Sequence, residues 1–449
     1  MKNDTIAAIS TALGQSAINI VRMSGPDVFD IIQNVYQEKE LKTVPSHTIH
    51  YGKIRDKNQV IDEVLISVFK APKTFTREDM IEINCHGGFF VAKRILELIL
   101  SHGARLAEKG EFTERAYLNG RIDLTQAESI LDIIEARTNL SLTLANKGLD
   151  GQIFDLITSL RNRLLDIIAN IEVNIDYPEY DDVEQLTTEL ITPRLKTLEQ
   201  KMAAILEKAH DGKVIREGVK TAIIGKPNVG KSSLLNALLG EDKAIVTDIR
   251  GTTRDIVEGT LNMGGIVLHL IDTAGIRESE DIIERIGIDK ARTIINEAEL
   301  ILFVLDNNEP LSVEDEQLLE LTKHKKRIVI INKTDLESKI GRTFKNSVSI
   351  SALNKTNLDL LQKKIKSLFL SGTINFDDTT YLSNARQISL MQQAYQAVKD
   401  AQQSANDLLP VDMIEIDLKT AWEALGEIIG DTKSTTLLDE LFSKFCLGK

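Results

Sequence analysis

Cysteine is nearly missing from this chain: there are two residues in 449, Cys85 and Cys446, far apart in sequence. Two thiols so placed build neither a disulfide framework nor a four-cysteine zinc site, and a reducing cytoplasm suits them best. Long apolar runs are missing too. None approaches the roughly 18 residues a membrane span needs, and the start, Met1-Lys-Asn-Asp4, lacks a charged-then-apolar signal layout. The expectation is a cytoplasmic protein with no membrane partner. Basic charge is not in excess: 54 Lys plus Arg against 67 Asp plus Glu give a net charge of -13, which excludes an evenly basic, nucleic-acid-coating protein. What is present is ordinary globular composition, 27% charged and 42% hydrophobic, at a length that predicts about three domains.

Residues 1–118 mix short β-like runs (Ala17 to Val21, Val64 to Phe69, Met80 to Asn84) with an amphipathic helix from Val91 to Ser101, the texture of an α+β domain. Residues 119–214 turn helical, with Leu124, Ala127, Ile130, Leu131 and Ile134 at 3/4 spacing. Residues 215–377 alternate apolar runs with helical stretches in the βαβ manner of a parallel sheet, and 378–449 return to helices. Neither helical flank alone supplies a stable bundle, so the spacing predicts an α/β domain inserted into an all-α domain built from both flanks. Residues 1–118 hold 15 basic and 15 acidic side chains and 215–377 hold 23 and 24, leaving 16 and 28 for the helical parts. The flanks therefore carry -12 of the -13, and any RNA affinity must come from local basic clusters or from a partner.

The strongest signal is Gly225-Lys-Pro-Asn-Val-Gly230-Lys231-Ser232, a complete G-x4-G-K-S between a strand-like run, Thr221 to Ile224, and a helical run, Ser233 to Leu239. In such a loop the N–H groups of Asn228, Val229, Gly230, Lys231, Ser232 and Ser233 surround phosphate, Lys231 spans the β- and γ-phosphates, and the Ser232 hydroxyl ligates Mg2+. Asp272-Thr-Ala-Gly275 follows the apolar run Ile266 to Ile271; Asp272 suits water-mediated Mg2+ binding and the Gly275 N–H the γ-phosphate. Asn332-Lys333-Thr-Asp335 follows Arg327 to Ile331, placing a carboxylate where it accepts from the guanine N1–H and 2-amino groups, a pair adenine lacks. Ser351-Ala352 follows Val348 to Ile350 and supports the base. Four elements in this order imply a Ras-like α/β P-loop GTPase domain that binds guanine nucleotide.

Between the P-loop and Asp272 lies Thr247-Asp-Ile249-Arg-Gly-Thr252-Thr253-Arg254, in the position of a segment that orders with GTP. Thr253 is the candidate second Mg2+ ligand. Ras-like enzymes orient the attacking water with a glutamine directly after the Asp-x-x-Gly glycine, but here that residue is Ile276, which cannot hydrogen-bond. Glu278, Glu280, Asp281 and Glu284 follow, and position alone does not choose among them.

Together these stretches resemble the tRNA modification GTPase family MnmE, also called TrmE, over nearly the whole chain. The likeness is carried by Asp4-Thr-Ile-Ala-Ala, Ile20-Val-Arg22-Met-Ser-Gly25-Pro, Ile81-Glu82-Ile-Asn-Cys-His86-Gly-Gly88, Gly110-Glu-Phe-Thr-Glu-Arg-Ala, Asn119-Gly-Arg121-Ile-Asp-Leu, Asn384-Ala-Arg386 and Cys446-Leu-Gly-Lys449. It implies a homodimer whose N-terminal domain binds 5-formyl-tetrahydrofolate or a related folate. It also implies work with the FAD-dependent flavoprotein GidA (MnmG), in a heterotetramer or larger complex, on C5 of the wobble uridine of certain tRNAs. By the resemblance Arg22, Glu82, Arg121 and Lys449 are the folate-binding residues, and their charges suit tail carboxylates and pterin N–H groups. Glu284 falls on the catalytic glutamate. Asn228 and the main-chain carbonyls of Thr247, Ile249 and Thr252 fall on a K+ site, where a cation neutralises charge as an arginine finger does.

One stretch departs. Similar proteins start Thr-Pro-x-Gly-x-Gly-Gly-Ile-Gly-Ile, whereas this chain reads Ser10-Thr-Ala-Leu-Gly14-Gln-Ser-Ala17-Ile-Asn-Ile, losing a proline and several glycines. Cys446 has two readings, a nucleophile or acid in folate or tRNA chemistry or a passive thiol on a frayed tail. The Cys85-His86 pair lacks the further ligands zinc requires. A ribosome-assembly GTPase is the rival reading, against which stands the lack of a basic RNA-binding appendage; an ATP-using P-loop enzyme is opposed by Asn332 and Asp335.

Overall fold

The computed structural model describes residues 4–12, 14–176, 190–239, 259–271, 288–370, 382–431 and 435–449. The chain divides into two compact units, Met1–Leu131 with Gly426–Lys449, and Asp132–Leu425.

The first unit is built on a mixed sheet of β1 (Ile6–Ile9), β2 (Ile18–Ser24), β3 (Thr48–Asp56), β4 (Gln59–Phe69), β5 (Met80–His86) and β6 (Arg105–Leu106), in the order β3-β4-β5-β2-β1-β6. Alternation along the strands sends Val21, Met23, Val64, Ile66, Ile81 and Ile83 to one face. There they bury against α1 (Val28–Val35) and α2 (Phe89–Ser101) through Ile32, Ile95 and Ile99. Among the described residues, the second face is covered at its β1 end, where Ile6, Ala8 and Met80 pack on Phe112 of α3 (Glu111–Leu118). Further along, α3 and α4 (Leu124–Glu135) share a core with the C-terminal helix Thr435–Ser443, in which Ala116, Leu124 and Leu131 meet Leu438, Phe442 and Phe445.

The C-terminal tail is docked, not frayed. Leu447 forms an antiparallel bridge with Lys109, Ser10 Oγ donates to the Gly448 carbonyl at 3.0 Å, and the Phe112 N–H donates to the Lys449 carbonyl at 3.2 Å. Gly448 makes this possible: its φ is 89°, and a Cβ there would lie 2.5 Å from the Ile9 carbonyl oxygen. The altered β1–β2 connection closes through side chains in place of glycines. Thr11 Oγ1 donates to Asn19 Oδ1 at 2.8 Å, the Ile20 N–H donates to Thr11 Oγ1 at 3.3 Å, and Ser16 Oγ donates to the Ile18 carbonyl at 2.6 Å.

The second unit opens with α5 (Asn139–Leu149), α6 (Gln152–Asp176) and α7 (Thr192–Glu217). Pro193 sits in the first turn of α7, where its missing N–H costs no helical hydrogen bond. Then come β7 (Val219–Ile224), α8 (Lys231–Leu239), β8 (Thr260–Met263), β9 (Ile266–Leu270), α9 (Ile288–Glu297), β10 (Leu300–Asp306), α10 (Val313–Leu321), β11 (Lys326–Asn332), β12 (Ser347–Ser349) and α11 (Leu358–Phe369). The strands form a sheet in the order β12-β11-β10-β7-β9-β8, parallel except for β8. Strand β10 is buried at every position and apolar from Leu300 to Leu305 before it ends in Asp306, because helices cover both faces of the sheet. After the sheet, α12 (Ala385–Asn406) packs along α7, and Tyr395 Oη donates to Glu199 Oε1 at 3.4 Å; α13 (Val411–Ile429) follows. The sheet thus stands between helices that come together from both sides of it in the sequence. Among the described residues no helix is long and apolar enough to cross a membrane.

Candidate functional site

Strand β7 lies between β10 and β9, and successive strands leave it in opposite directions across the sheet. Its carboxyl end is therefore a topological switch point, where open α/β sheets leave a crevice. The P-loop occupies that point and runs into the N-terminus of α8, where Ser232 and Ser233 are exposed. Lys231 Nζ donates to the carbonyls of Gly225 at 2.8 Å and Lys226 at 2.7 Å, so the ammonium is held inside the loop. Burial pushes its pKa down, and Glu314 opposes that shift.

Three loops meet over this strand end. Asn332, only 2% exposed, donates through Nδ2 to the Val229 carbonyl at 2.9 Å and accepts the Ala352 N–H at Oδ1, 3.0 Å. One amide therefore ties the P-loop to the segment after β12. Gly230 is what lets it pass: its φ is 95°, and a Cβ would lie 2.2 Å from Asn332 Nδ2. Lys333, left-handed at φ 63°, donates to the Asn228 carbonyl at 2.9 Å and to Asp306 Oδ2 at 2.6 Å. Asp335 Oδ1 accepts from Ser351 Oγ at 2.5 Å, and that hydroxyl accepts the Asn354 N–H at 3.2 Å. The Asp335 carboxylate is thereby fixed beside the loop that carries Ala352.

The structure thus brings together Asn228, Val229, Gly230, Lys231, Asn332, Lys333, Asp335, Ser351 and Ala352. Thr247, Ile249, Thr252, Thr253, Asp272, Gly275 and Glu284 lie outside the described residues.

Two groups here escaped sequence reasoning. Asp306 is 7% exposed, accepts the Asn308 N–H at 2.9 Å and anchors Lys333. Its one signal was an acid ending the apolar run Leu300 to Leu305, at the carboxyl edge of a strand. Lys226 pairs with Glu309 at 2.6 Å and with Asp315 at 3.4 Å, bracing the P-loop from outside; these pairs, Glu309 first, push its pKa up. No spacing rule links those positions.

A second constellation lies on the second face of the first sheet. Arg22 on β2 is opposite Glu82 on β5, with Nε and Nη2 each 2.8 Å from Glu82 Oε1. Its Nη1 donates to the Gly448 carbonyl at 3.2 Å, and the guanidinium lies 5.7 Å from the centre of the Phe112 ring. The docked tail brings Lys449 alongside, where burial first and the Arg22 charge second push its pKa down. Arg22 and Lys449 thus bring two cationic side chains near one another, an arrangement that suits a carboxylate-bearing ligand. Arg121 has different neighbours: it donates to the Phe75 carbonyl at 3.1 Å and covers the Phe75 ring at 5.0 Å.

Cys446 is exposed. Cys85 is buried, and burial pushes its thiol up to about 11. His86 is engaged by Asp62, Nδ1 to Oδ1 at 2.6 Å. Among the described residues no group of three or more His, Cys, Asp or Glu is placed to hold a metal ion.

Comparison with known proteins matches residues 5–121 to the family model described as GTP-binding protein TrmE N-terminus, and residues 124–446 to the MnmE helical domain. Curated relatives named tRNA modification GTPase MnmE align over the full length. That of Oceanobacillus iheyensis is 51% identical over 100% of both chains. That of Lactococcus lactis subsp. lactis is 52% identical over 99% of this chain and 98% of its own. The Staphylococcus haemolyticus protein is 51% identical over 100% of both.

Proposed function

The chain belongs to the MnmE family of tRNA modification GTPases, and from that premise we propose that it hydrolyses GTP to drive modification of C5 of the wobble uridine in certain tRNAs. With an FAD-dependent partner of the GidA (MnmG) type it installs an aminomethyl or carboxymethylaminomethyl group. The observation that carries the nucleotide reading is the junction of three loops, in which Asn332 and Lys333 hold P-loop carbonyls while Ser351 fixes Asp335. A carboxylate so held accepts two hydrogen bonds from guanine and meets an acceptor on adenine, so it selects the base.

On the phosphate side Lys231 exchanges its two carbonyl acceptors for β- and γ-phosphate oxygens, and the substrate's charge offsets the desolvation of the ammonium. Ser232, with Thr253 and, through water, Asp272, is the set that would hold Mg2+, which supplies charge neutralisation at the transferred phosphoryl group. Asn228 fits a K+ ligand: it is exposed, and its own carbonyl is already engaged by Lys333, which leaves the side-chain amide to serve with the carbonyls of Thr247, Ile249 and Thr252. Glu284 orients the attacking water that Ile276 cannot hold.

The pocket of Arg22, Glu82 and Lys449 takes a folate, with Glu82 accepting from pterin N–H groups and the cations meeting carboxylates; Arg121 serves the tail. The homodimer forms through the first unit. On the uncovered end of its sheet Tyr51 is 63% exposed, Leu65, directly opposite it, 48%, and Ile49 66%, an apolar row on an edge that suits a second copy.

Mass spectrometry of wobble nucleosides from cells lacking the protein tests the assignment. Uridine unmodified at C5 is the expected result, and normal modification would overturn it. Replacing Na+ by K+ raises GTP turnover strongly, and Glu284→Ala removes turnover while sparing GTP affinity; equal rates in the two salts would refute the K+ part.

A further inference from the structure

Beside the Arg22–Glu82 pair lies a groove of which only Arg121 has been used above. It has a volume of about 450 Å3, and its described lining includes Lys73, Arg77, Arg121 and His47, with Phe69 and Phe75 as apolar walls. No carboxylate is among the described residues that line it. Arg77 donates to the Asn119 carbonyl at 2.9 Å and Arg121 to the Phe75 carbonyl at 3.1 Å. Among the described residues neither has a carboxylate partner, and Lys73 has no partner at all. Three exposed cations thus stand together: Lys73 and Arg77 from residues 1–118, whose basic and acidic residues balance at 15 each, and Arg121 just beyond them. His47 and Arg77 are also left-handed, at φ 62° and 60°, conformations that side-chain-bearing residues adopt rarely and that cluster at ligand clamps.

The groove adjoins the Arg22 pocket on the same face of the sheet. Ser67 pairs with Glu82, and Phe69, two residues further along β4, pairs with Met80. Side chains two apart share a face, and one strand spacing with two residues of rise puts the Phe69 and Glu82 backbones about 8 Å apart. Phe75 packs into the cluster that contains Phe112, the ring beneath Arg22. A ligand seated on Arg22 and Glu82 therefore needs only a short extension to reach Arg121, Arg77 and Lys73.

We propose that this groove holds the poly-γ-glutamyl tail of the folate bound at Arg22, Glu82 and Lys449, so that the protein selects polyglutamylated over monoglutamylated folate. The proposal rests on the folate reading of that pocket. Each added γ-linked glutamate brings one carboxylate on a flexible chain, and a row of exposed cations with no acid among them meets such a chain better than it meets a compact monoanion. An RNA backbone is the competing polyanion. The short reach from a carboxylate-seeking pocket, and a groove sized for a small-molecule chain, favour the glutamyl tail.

The test is calorimetric titration of the full-length protein with 5-formyl-tetrahydrofolate carrying one, three or five γ-linked glutamates, at low and raised salt. Affinity tightens by about tenfold from one glutamate to three, levels off by five as the three cations are used, and the gain shrinks in salt. Lys73→Gln and Arg77→Gln each remove part of that gain, about threefold, and leave monoglutamate affinity unchanged; Lys73 is exposed and makes no hydrogen bond or ion pair among the described residues, so its replacement spares the fold. Equal affinity for all three ligands overturns the groove assignment while the pocket stands. Absence of binding by every form overturns the folate reading itself. If Lys73→Gln weakens tRNA binding and leaves the polyglutamate gain in place, the groove belongs to RNA and the proposal fails.

Discussion

Replacing Asp306 by asparagine removes one negative charge and almost no volume, at a position that touches nucleotide only through another residue. The Asp306 carboxylate is buried, and its Oδ2 holds Lys333 Nζ at 2.6 Å while that ammonium donates to the Asn228 carbonyl of the P-loop. Asparagine keeps an acceptor for the Asn308 N–H but turns a second donor toward the ammonium, so Lys333 loses its anchor. A charge-assisted hydrogen bond of this kind contributes about 1.5–3 kcal/mol. The Lys333 side chain is 35% exposed, so water recovers part of the loss, and about 1–2 kcal/mol is the expected net effect after screening. That corresponds to roughly 5- to 30-fold weaker binding of GDP. The assay is titration of a fluorescent GDP into the wild type, Asp306→Asn, Lys333→Met and the double variant. If Asp306 acts through Lys333, the double variant binds no worse than Lys333→Met alone. Additive losses with unchanged melting temperatures, or an unaltered affinity in Asp306→Asn, would refute the reasoning.

Asp335→Asn exchanges an acceptor for a donor and is expected to cost at least about 100-fold in GTP affinity while improving binding of xanthosine triphosphate; retained preference for GTP in competition titrations would contradict the role given to that carboxylate. Tyr51→Asp places a charge in the exposed apolar row and is expected to give monomers in sedimentation velocity, an unchanged dimer ruling that face out. Asp4 is held down to about 2, chiefly by hydrogen bonding from Arg105 and further by Arg115. A depressed carboxylate stabilises the fold above its unfolded pKa of about 3.9 and stops doing so as pH falls through the folded value. The melting temperature of the wild type should therefore drop between about pH 4 and pH 2, and more shallowly in Asp4→Asn; parallel curves would contradict the assignment.

The motifs that were legible in the sequence are those whose geometry is local. A strand, six residues and a helix suffice to make a P-loop, so Gly225 to Ser232 declares itself by spacing, and the apolar runs ending at Ile224 and Ile331 fix where the strand ends must lie. The β-like runs Val64 to Phe69 and Met80 to Asn84 likewise fall within β4 and β5. The partners of those motifs were not legible. Asp306 and Lys333 are separated by 27 positions, and the carboxylate becomes a ligand of that ammonium only because β10 and β11 run parallel in a register that pairs Asp306 with Asn332.

The same division runs through the rest of the molecule. The sequence by itself determined the class of each domain, the nucleotide motifs and the place of the charge, because periodicity, turn chemistry and composition act over a few residues. Only the tertiary structure decided that Gly448 takes a left-handed turn against Ile9, that Lys449 thereby comes to rest beside Arg22, and that Lys73, Arg77 and Arg121 border one groove. Contacts across hundreds of residues depend on register and on positive φ values, which local pattern does not encode. The acidic total of the chain therefore said little about where an anion can bind; three cations gathered by the fold answer that question better than the sum of all charges.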